Sequence, residues 1–270
     1  MEQRLLRYVK TAPSDLLCFF LASLVAFKSA AASIIVQRIE LPSFDGTAIP
    51  TEVAIPSGDG PFFPLLYIHA RRGYEDVDQA HVQQLARAGF LVVAPDWQTG
   101  RMLERWPVPH DPMTEKDVEA ALDYLQAHPL SRRQPVGIVG KSRGPYYAIR
   151  LAAKRPDDIG PIVSFYGHMQ DPNAPEPDQI YRIAPELSVI RSPMLMLVGE
   201  QDFEIRRINM GRAFYALWER GITVEYQTYP LARRAFDFRR DQTAEEKLAT
   251  DHAHKRTLEW LLKFMTQQRP

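Results

Sequence analysis

The segment Gly140-Lys141-Ser142-Arg143-Gly144 has the pattern G-x-S-x-G, a serine between two cations with a glycine on either side of the trio. That pattern suits a serine nucleophile carried on a sharp strand-to-helix turn. The glycines have a reason, because a side chain at either position would clash in so tight a bend. A serine hydroxyl is a poor nucleophile until something takes its proton, and the negative oxygen that develops in acyl transfer needs donors. The chain should therefore supply a base, an acid to orient it and two N–H groups. The backbone N–H of Arg143, at the start of the following helix, can be one donor. The loop "ARRGYED" after an earlier strand can lend the other, through Arg71. An acid should follow a later strand, and "MLMLVGEQD" offers Glu200 and Asp202. Asp202, just past the glycine turn, is the candidate.

The order serine, acid, histidine asks for a histidine after the last strand. The segment there reads "YPLARRAFDF", with Arg233 and Arg234, and no histidine occurs between His168 and His252. Guanidinium stays protonated at any working pH, so Arg234 cannot accept the proton of Ser142, though it can pair with Asp202. Two histidines are expected on the same rim as Ser142. His168 follows the strand "IVSFYG", and His110 lies in the long loop "RWPVPHDP". Either of them, or water, is open to the role of base. His69 ends a strand and is expected to brace the loop beside it, and His81 and His128 lie on or at the end of helices. His252 and His254 are two apart on a helix and face different ways, so no metal site is expected. Arg71, Arg72, Arg101, Arg143, Arg233, Arg234 and Arg239 all fall on or near strand ends. If several converge, the pocket is cationic and favours a carboxylate-bearing ligand; otherwise they are solvated.

The elements that must hold these residues alternate. "SIIVQRIELPS" and "TEVAIPS" read as short strands joined through an Asp45-Gly46 turn. Strands come next at "FPLLYIH" and "FLVVAPD", both of the buried type, and at "PVGIVG", "GPIVSFYG", "MLMLVGE" and "ITVEYQTY". Between them lie the helical stretches "VDQAHVQQLARAG", "EKDVEAALDYLQAH" with Thr114 as its cap, "GPYYAIRLAAK" and "RRINMGRAFYALWERG". "TAEEKLATDHAHKRTLEWLLKFMTQQ" closes the chain as a helix, and residues 168–192 form a long irregular stretch. Alternating strands and helices make βαβ units and a mostly parallel sheet, whose ligands bind beyond the carboxyl ends of the strands.

The chain has 270 residues, 45% apolar and 24% charged, a globular composition able to bury a core. Lys+Arg and Asp+Glu cancel at 33 each, without the basic excess of a nucleic-acid binder. No repeat of solenoid length is present. The first residues differ from the rest. Arg4, Arg7 and Lys10 precede the apolar run "LLCFFLASLVAF" and the small residues Ala30-Ala31-Ala32. This is the pattern of a secretory signal peptide over residues 1–32, with one domain over 33–270. The apolar run is shorter than the roughly 20 residues that span a bilayer. Cleavage after Ala32 would leave 29 Lys+Arg against 31 Asp+Glu, and would remove Cys18, the only cysteine. That leaves no disulfide, thiol nucleophile or cysteine-bound metal in a secreted or periplasmic chain.

Taken together, "SFDGTAIPTEVAIP", "PLLYIHARRG", "LARAGFLVVAPDW", "VGIVGKSRG", "IVSFYG", "PMLMLVGEQD" and "YPLARRAF" resemble the dienelactone hydrolase family of α/β-hydrolases over nearly the whole mature chain. The resemblance implies a sheet of about eight strands with helices on both faces. It also implies hydrolysis of a small-molecule ester or lactone through a covalent intermediate, without metal or cofactor. Ser142 falls on the family's nucleophile and Asp202 on its acid. The chain departs from the family pattern where Arg234 takes the histidine position, and Ala70 stands where some members carry a glutamate. Two functions are compatible with this: a weak or unconventional serine hydrolase, or a non-catalytic α/β-hydrolase fold binding an anionic small molecule or a partner protein.

Overall fold

A computed structural model of the chain describes residues 33–107, 109–174 and 182–266. The leader expected over residues 1–32 lies outside the described residues. Among the described residues, eight strands alternate with five helices. The strands are β1 (Ile34–Pro42), β2 (Ala48–Pro56), β3 (Phe63–Ile68), β4 (Phe90–Pro95), β5 (Val136–Lys141), β6 (Ile159–Phe165), β7 (Met194–Gln201) and β8 (Val224–Arg233). The helices are α1 (Asp76–Arg87), α2 (Met113–Ala127), α3 (Gly144–Lys154), α4 (Glu204–Glu219) and α5 (Ala244–Met265). The strands form one sheet in the order β1-β2-β4-β3-β5-β6-β7-β8. β1 pairs antiparallel with β2 and β2 antiparallel with β4, while every later pairing is parallel.

Burial on both faces explains why the central strands read as unbroken apolar runs. Successive side chains point to opposite faces, so each strand feeds two cores. Leu66 and Ile68 of β3 join Val118, Leu122, Ile149 and Met210 from α2, α3 and α4. Leu65 and Tyr67 of the same strand join Val82, Leu85, Trp260 and Leu261 from α1 and α5. α2, α3 and α4 thus cover one face, and α1 and α5 the other. The last helix is started by a capping box, in which Thr243 and Glu246 each accept the other's backbone N–H.

Two local expectations change. Thr114 is not a helix cap. Pro112 already has helical φ and ψ of −62° and −19°, so α2 begins at Met113 and the Thr114 hydroxyl sits inside it against Tyr147. The last strand runs on to Arg233 rather than ending at Tyr229. Leu231 adopts φ 58°, and the register with β7 breaks between Gly199 and Gln201. In the stretch 168–192, both described ends are anchored, with Met169, Ala184, Leu187 and Ile190 in the α2–α4 core.

Candidate active site

Ser142 stands one residue past β5 with φ 54°, a conformation that costs a non-glycine residue about 1–3 kcal/mol. The surroundings hold it there. Its N–H donates to Phe165 O at 3.0 Å, and its C=O accepts the His168 N–H at 2.7 Å. The flanking glycines allow the bend. A Cβ on Gly144 would lie 2.2 Å from Ile68 O, and one on Gly140 2.6 Å from the Pro145 nitrogen. β3 and α3 can therefore close on the turn only if these positions carry no side chain. The N–H groups of Arg71 and Arg143 make no hydrogen bond to another described residue, so both are available as donors. The Arg71 loop is pinned in place. Its carbonyl accepts from Gln98 Nε2 at 2.8 Å and from the Trp106 N–H at 2.8 Å, and its guanidinium donates to Pro107 O at 2.9 Å.

The acid and the arginine meet the serine. Arg234 Nη1 donates to both oxygens of Asp202 at 3.0 Å, and Arg234 Nη2 donates to Ser142 Oγ at 2.7 Å. Asp202 is 4% exposed and also accepts the Phe203 N–H at 2.6 Å, at the start of α4. Its carboxylate is thus held through both oxygens by one guanidinium nitrogen and by one backbone donor, partners that a buried carboxylate needs. Glu200, the other acid of that segment, is exposed and accepts from the Leu231 N–H instead.

These groups open onto a cavity of about 560 Å³, lined among others by Arg71, Ser142, Tyr166, His168, Phe203, Arg206, Arg234 and Arg239. It lies beyond the carboxyl ends of β3, β5, β6, β7 and β8, where ligands bind in parallel sheets. A larger groove of about 830 Å³ lies at the other end of the same strands, lined by Pro135, Gly160, Pro193 and Thr223, and has no nucleophile–acid pair.

The cavity is rich in cations. Arg71, Arg234 and Arg239 line it as a converging set, and Arg206 joins them from the first turn of α4. Sequence reasoning passed over Arg206; its only signal is the position one helical turn past the acid. Arg206 Nη1 is buried with no hydrogen-bond partner among the described residues. Burial, together with Arg234, Arg71 and Arg143, pushes its guanidinium down to about 10. Arg239 is paired with Asp241, which also lines the cavity, and the other arginines grouped with these have structural partners as well. Arg72 pairs with Asp78, Arg101 with Asp45 and Asp117, and Arg233 with Glu246 and Asp241. The buried Arg143 side chain contacts His110 Nδ1 at 3.3 Å.

The two histidines considered as bases part company. His168 lines the cavity with Ser142 and is 3% exposed. Burial, reinforced by Arg206, Arg234, Arg143 and Arg71, holds its pKa well below the usual histidine value, so the ring is neutral. His110 is not on the cavity lining. Its ring bridges Glu115, with Nε2 to Oε1 at 2.8 Å, and the Arg143 guanidinium. His69 stacks on Trp97 at 4.9 Å and donates to Ala70 O at 2.8 Å, bracing the loop that carries Arg71.

Beneath the cavity floor lies a network that sequence reasoning did not reach. Lys141, one residue before the serine and 1% exposed, forms an ion pair with Asp237 and lies 3.1 Å from the Phe165 ring centroid. Asp237 also accepts from Tyr166 OH at 2.6 Å. Asp237 follows Arg234 by three residues, after Ala235 at φ 61°, and Tyr166 follows β6 at φ 38°. The network therefore joins the strained turns that end β5, β6 and β8. His81 and His254 stack at 4.1 Å beside it, and with Asp237 they bring three ligand-type atoms within 4.8 Å of one another. The sequence kept these histidines apart because they lie on different helices. The Asp237 carboxylate here is already shared between the Lys141 ammonium and the Tyr166 hydroxyl.

An eight-stranded, mostly parallel sheet with a serine on the turn after β5 and an acid after β7 defines an α/β-hydrolase fold. The sequence profile of the dienelactone hydrolase family matches residues 49–265, and the chain belongs to that family. A Methylorubrum extorquens protein provisionally named a carboxymethylenebutenolidase is 24% identical over 249 residues, covering 86% of this chain and 82% of its own. A Klebsiella pneumoniae structure provisionally named a dienelactone hydrolase superposes with a TM-score of 0.71 at 22% identity, covering 86% of this chain and 99% of its own. The structure of a bacterial heroin esterase superposes with a TM-score of 0.65 at 17% identity, covering 84% of each chain. Membership of this family points to hydrolase activity. No helix among the described residues is long and apolar enough to cross a membrane.

Proposed function

We propose that the protein is a serine hydrolase that opens an ester or lactone through an acyl-enzyme on Ser142, with Arg234 at the position the family gives to histidine. The observation that carries this reading is the contact chain from Asp202 through Arg234 to Ser142 Oγ. A guanidinium and an imidazole both offer two nitrogens across one carbon, so Arg234 can do the geometric work of the missing ring. It cannot do the proton work, because it has no lone pair to offer. Oγ attacks the carbonyl carbon, and the carbonyl oxygen takes negative charge between the N–H groups of Arg71 and Arg143. The serine's proton goes by way of water to His168, the neutral ring that lines the cavity with Ser142, and from it to the departing alkoxide. His168 is a weak base in its cationic surroundings, so the activity is feeble. A triad without its base retains about 10³–10⁴ over water from the oxyanion hole and binding. Arg71 and Arg206 favour a substrate carrying a carboxylate. Family membership favours this hydrolase over the non-catalytic binding protein. The leader pattern supports export, with the mature chain starting after Ala32, and N-terminal sequencing of the exported protein tests that. A fluorophosphonate probe should label the protein slowly at Ser142, and Ser142→Ala should abolish labelling. An unlabelled parent chain sinks the reading.

A further inference from the structure

We infer that the Ser142 acyl-enzyme, once formed from a phenol or enol ester, persists instead of turning over, so that the protein acts as a stoichiometric acyl acceptor. The inference rests on the hydrolase reading above and concerns the fate of the acyl group after the first chemical step. Acylation forms the Oγ–carbonyl bond and breaks the bond from the carbonyl carbon to the leaving oxygen. The phenolate or enolate departs with its electron pair, and the serine's proton ends in solvent by way of His168. A phenol ionises at a pKa of about 10, so its oxygen leaves without help from an acid. The attacking Oγ is already held at 2.7 Å by Arg234, which stabilises negative charge on it as the proton departs.

Deacylation lacks each of these advantages. Its electrophile is now an alkyl ester, less reactive than the aryl or enol ester that made it. Its nucleophile is a water molecule, which needs a base at the acyl carbonyl. The usual place for that base is filled by the Arg234 guanidinium, fixed on Asp202 by two bonds of 3.0 Å. The Asp202 carboxylate is 4% exposed and engaged by Arg234 and the Phe203 N–H, so it is closed to water. Around the cavity, Arg71, Arg206 and Arg239 are donors. The Tyr166 hydroxyl is committed to Asp237. Asp241 is paired with Arg233 and Arg239. Among the described residues that line the cavity, His168 is the remaining base, and four nearby arginines oppose its protonation. A reactive leaving group offsets so weak a base in the first step, and nothing offsets it in the second.

The test mixes the full chain with 4-nitrophenyl acetate at neutral pH and tracks nitrophenolate release and intact mass together, before and after desalting. The expected result is about one equivalent of nitrophenolate and one acetyl group on Ser142 that survives desalting. Its decay should be at least about tenfold slower than in Arg234→His. Ser142→Ala should give neither signal. Continued turnover with no accumulated acetyl group, or an adduct that decays as fast as in Arg234→His, overturns the inference and leaves the hydrolase reading standing. No nitrophenolate and no adduct in the parent chain overturn both.

Discussion

Replacing Arg234 with histidine tests the site most directly. In triad enzymes the base is worth about 10⁴–10⁶ in turnover. Imidazole repeats the nitrogen–carbon–nitrogen unit that now joins Asp202 to Ser142 Oγ through bonds of 3.0 and 2.7 Å. Its stem is shorter, so the ring will not reach both partners without a small inward movement of the loop. A misplacement of roughly 1 Å costs on the order of 10². The expected gain in ester turnover is therefore at least about tenfold, or about 1.4 kcal/mol of barrier, with about 10⁴ as its ceiling. The assay is steady-state hydrolysis of a 4-nitrophenyl ester, with Ser142→Ala in the Arg234→His background as the blank. Urea unfolding should run alongside, because Asp202 exchanges a charged partner for a neutral one. A folded Arg234→His protein with no gain in turnover would refute the argument that only proton acceptance is missing.

Three further outcomes are expected from the geometry. Arg206→Ala should raise KM for a carboxylate-bearing ester by about tenfold and leave KM for a neutral ester unchanged, because one charge-assisted bond is worth about 1.5–3 kcal/mol; equal effects on both substrates would remove Arg206 from ligand recognition. Lys141→Met should destabilise the fold by about 3–5 kcal/mol in urea unfolding by leaving Asp237 buried and unpaired, and adding Asp237→Asn should recover part of that loss; a single-variant cost under about 1 kcal/mol would mean that the ion pair does not hold the floor. Finally, stability should fall with acid. His254 is depressed to about 4, first by burial and then by Lys141, and His81 and His168 are also depressed. The folded state therefore binds fewer protons than the unfolded chain below a pH of about 6.5, and the stabilisation present above that value is lost as pH falls toward the folded values. For His254 the loss is on the order of 3 kcal/mol across that window, and an unfolding midpoint that is flat from neutral to acid pH contradicts it.

The layout of the sheet was legible because buried parallel strands and amphipathic helices leave different periods in the sequence. The turn at Ser142 was legible because tight bends demand small residues at Gly140 and Gly144. What the sequence concealed depends on side chains meeting across elements. Lys141 looked like one more cation beside the serine, and only the packing of β5 against β6 and the 236–238 turn makes it a buried partner of Asp237. Arg206 sits on a helix with no clean apolar stripe, so nothing in its spacing marked it as facing the cavity. His81 and His254 lie on two different helices, and their stacking is a fact of tertiary packing. The two candidate bases differ in what their rings meet, the cavity for His168 and the Glu115 and Arg143 side chains for His110, which loop composition does not encode.

The Lys141–Asp237–Tyr166 link has a consequence for position 234 itself. The segment bearing that residue is moored three positions downstream, to the strand that ends at the serine. The side chain at 234 can thus be exchanged without casting the segment adrift. Such a scaffold separates the anchoring of the reactive groups from their identity, which leaves room for arginine where a proton acceptor would serve hydrolysis better.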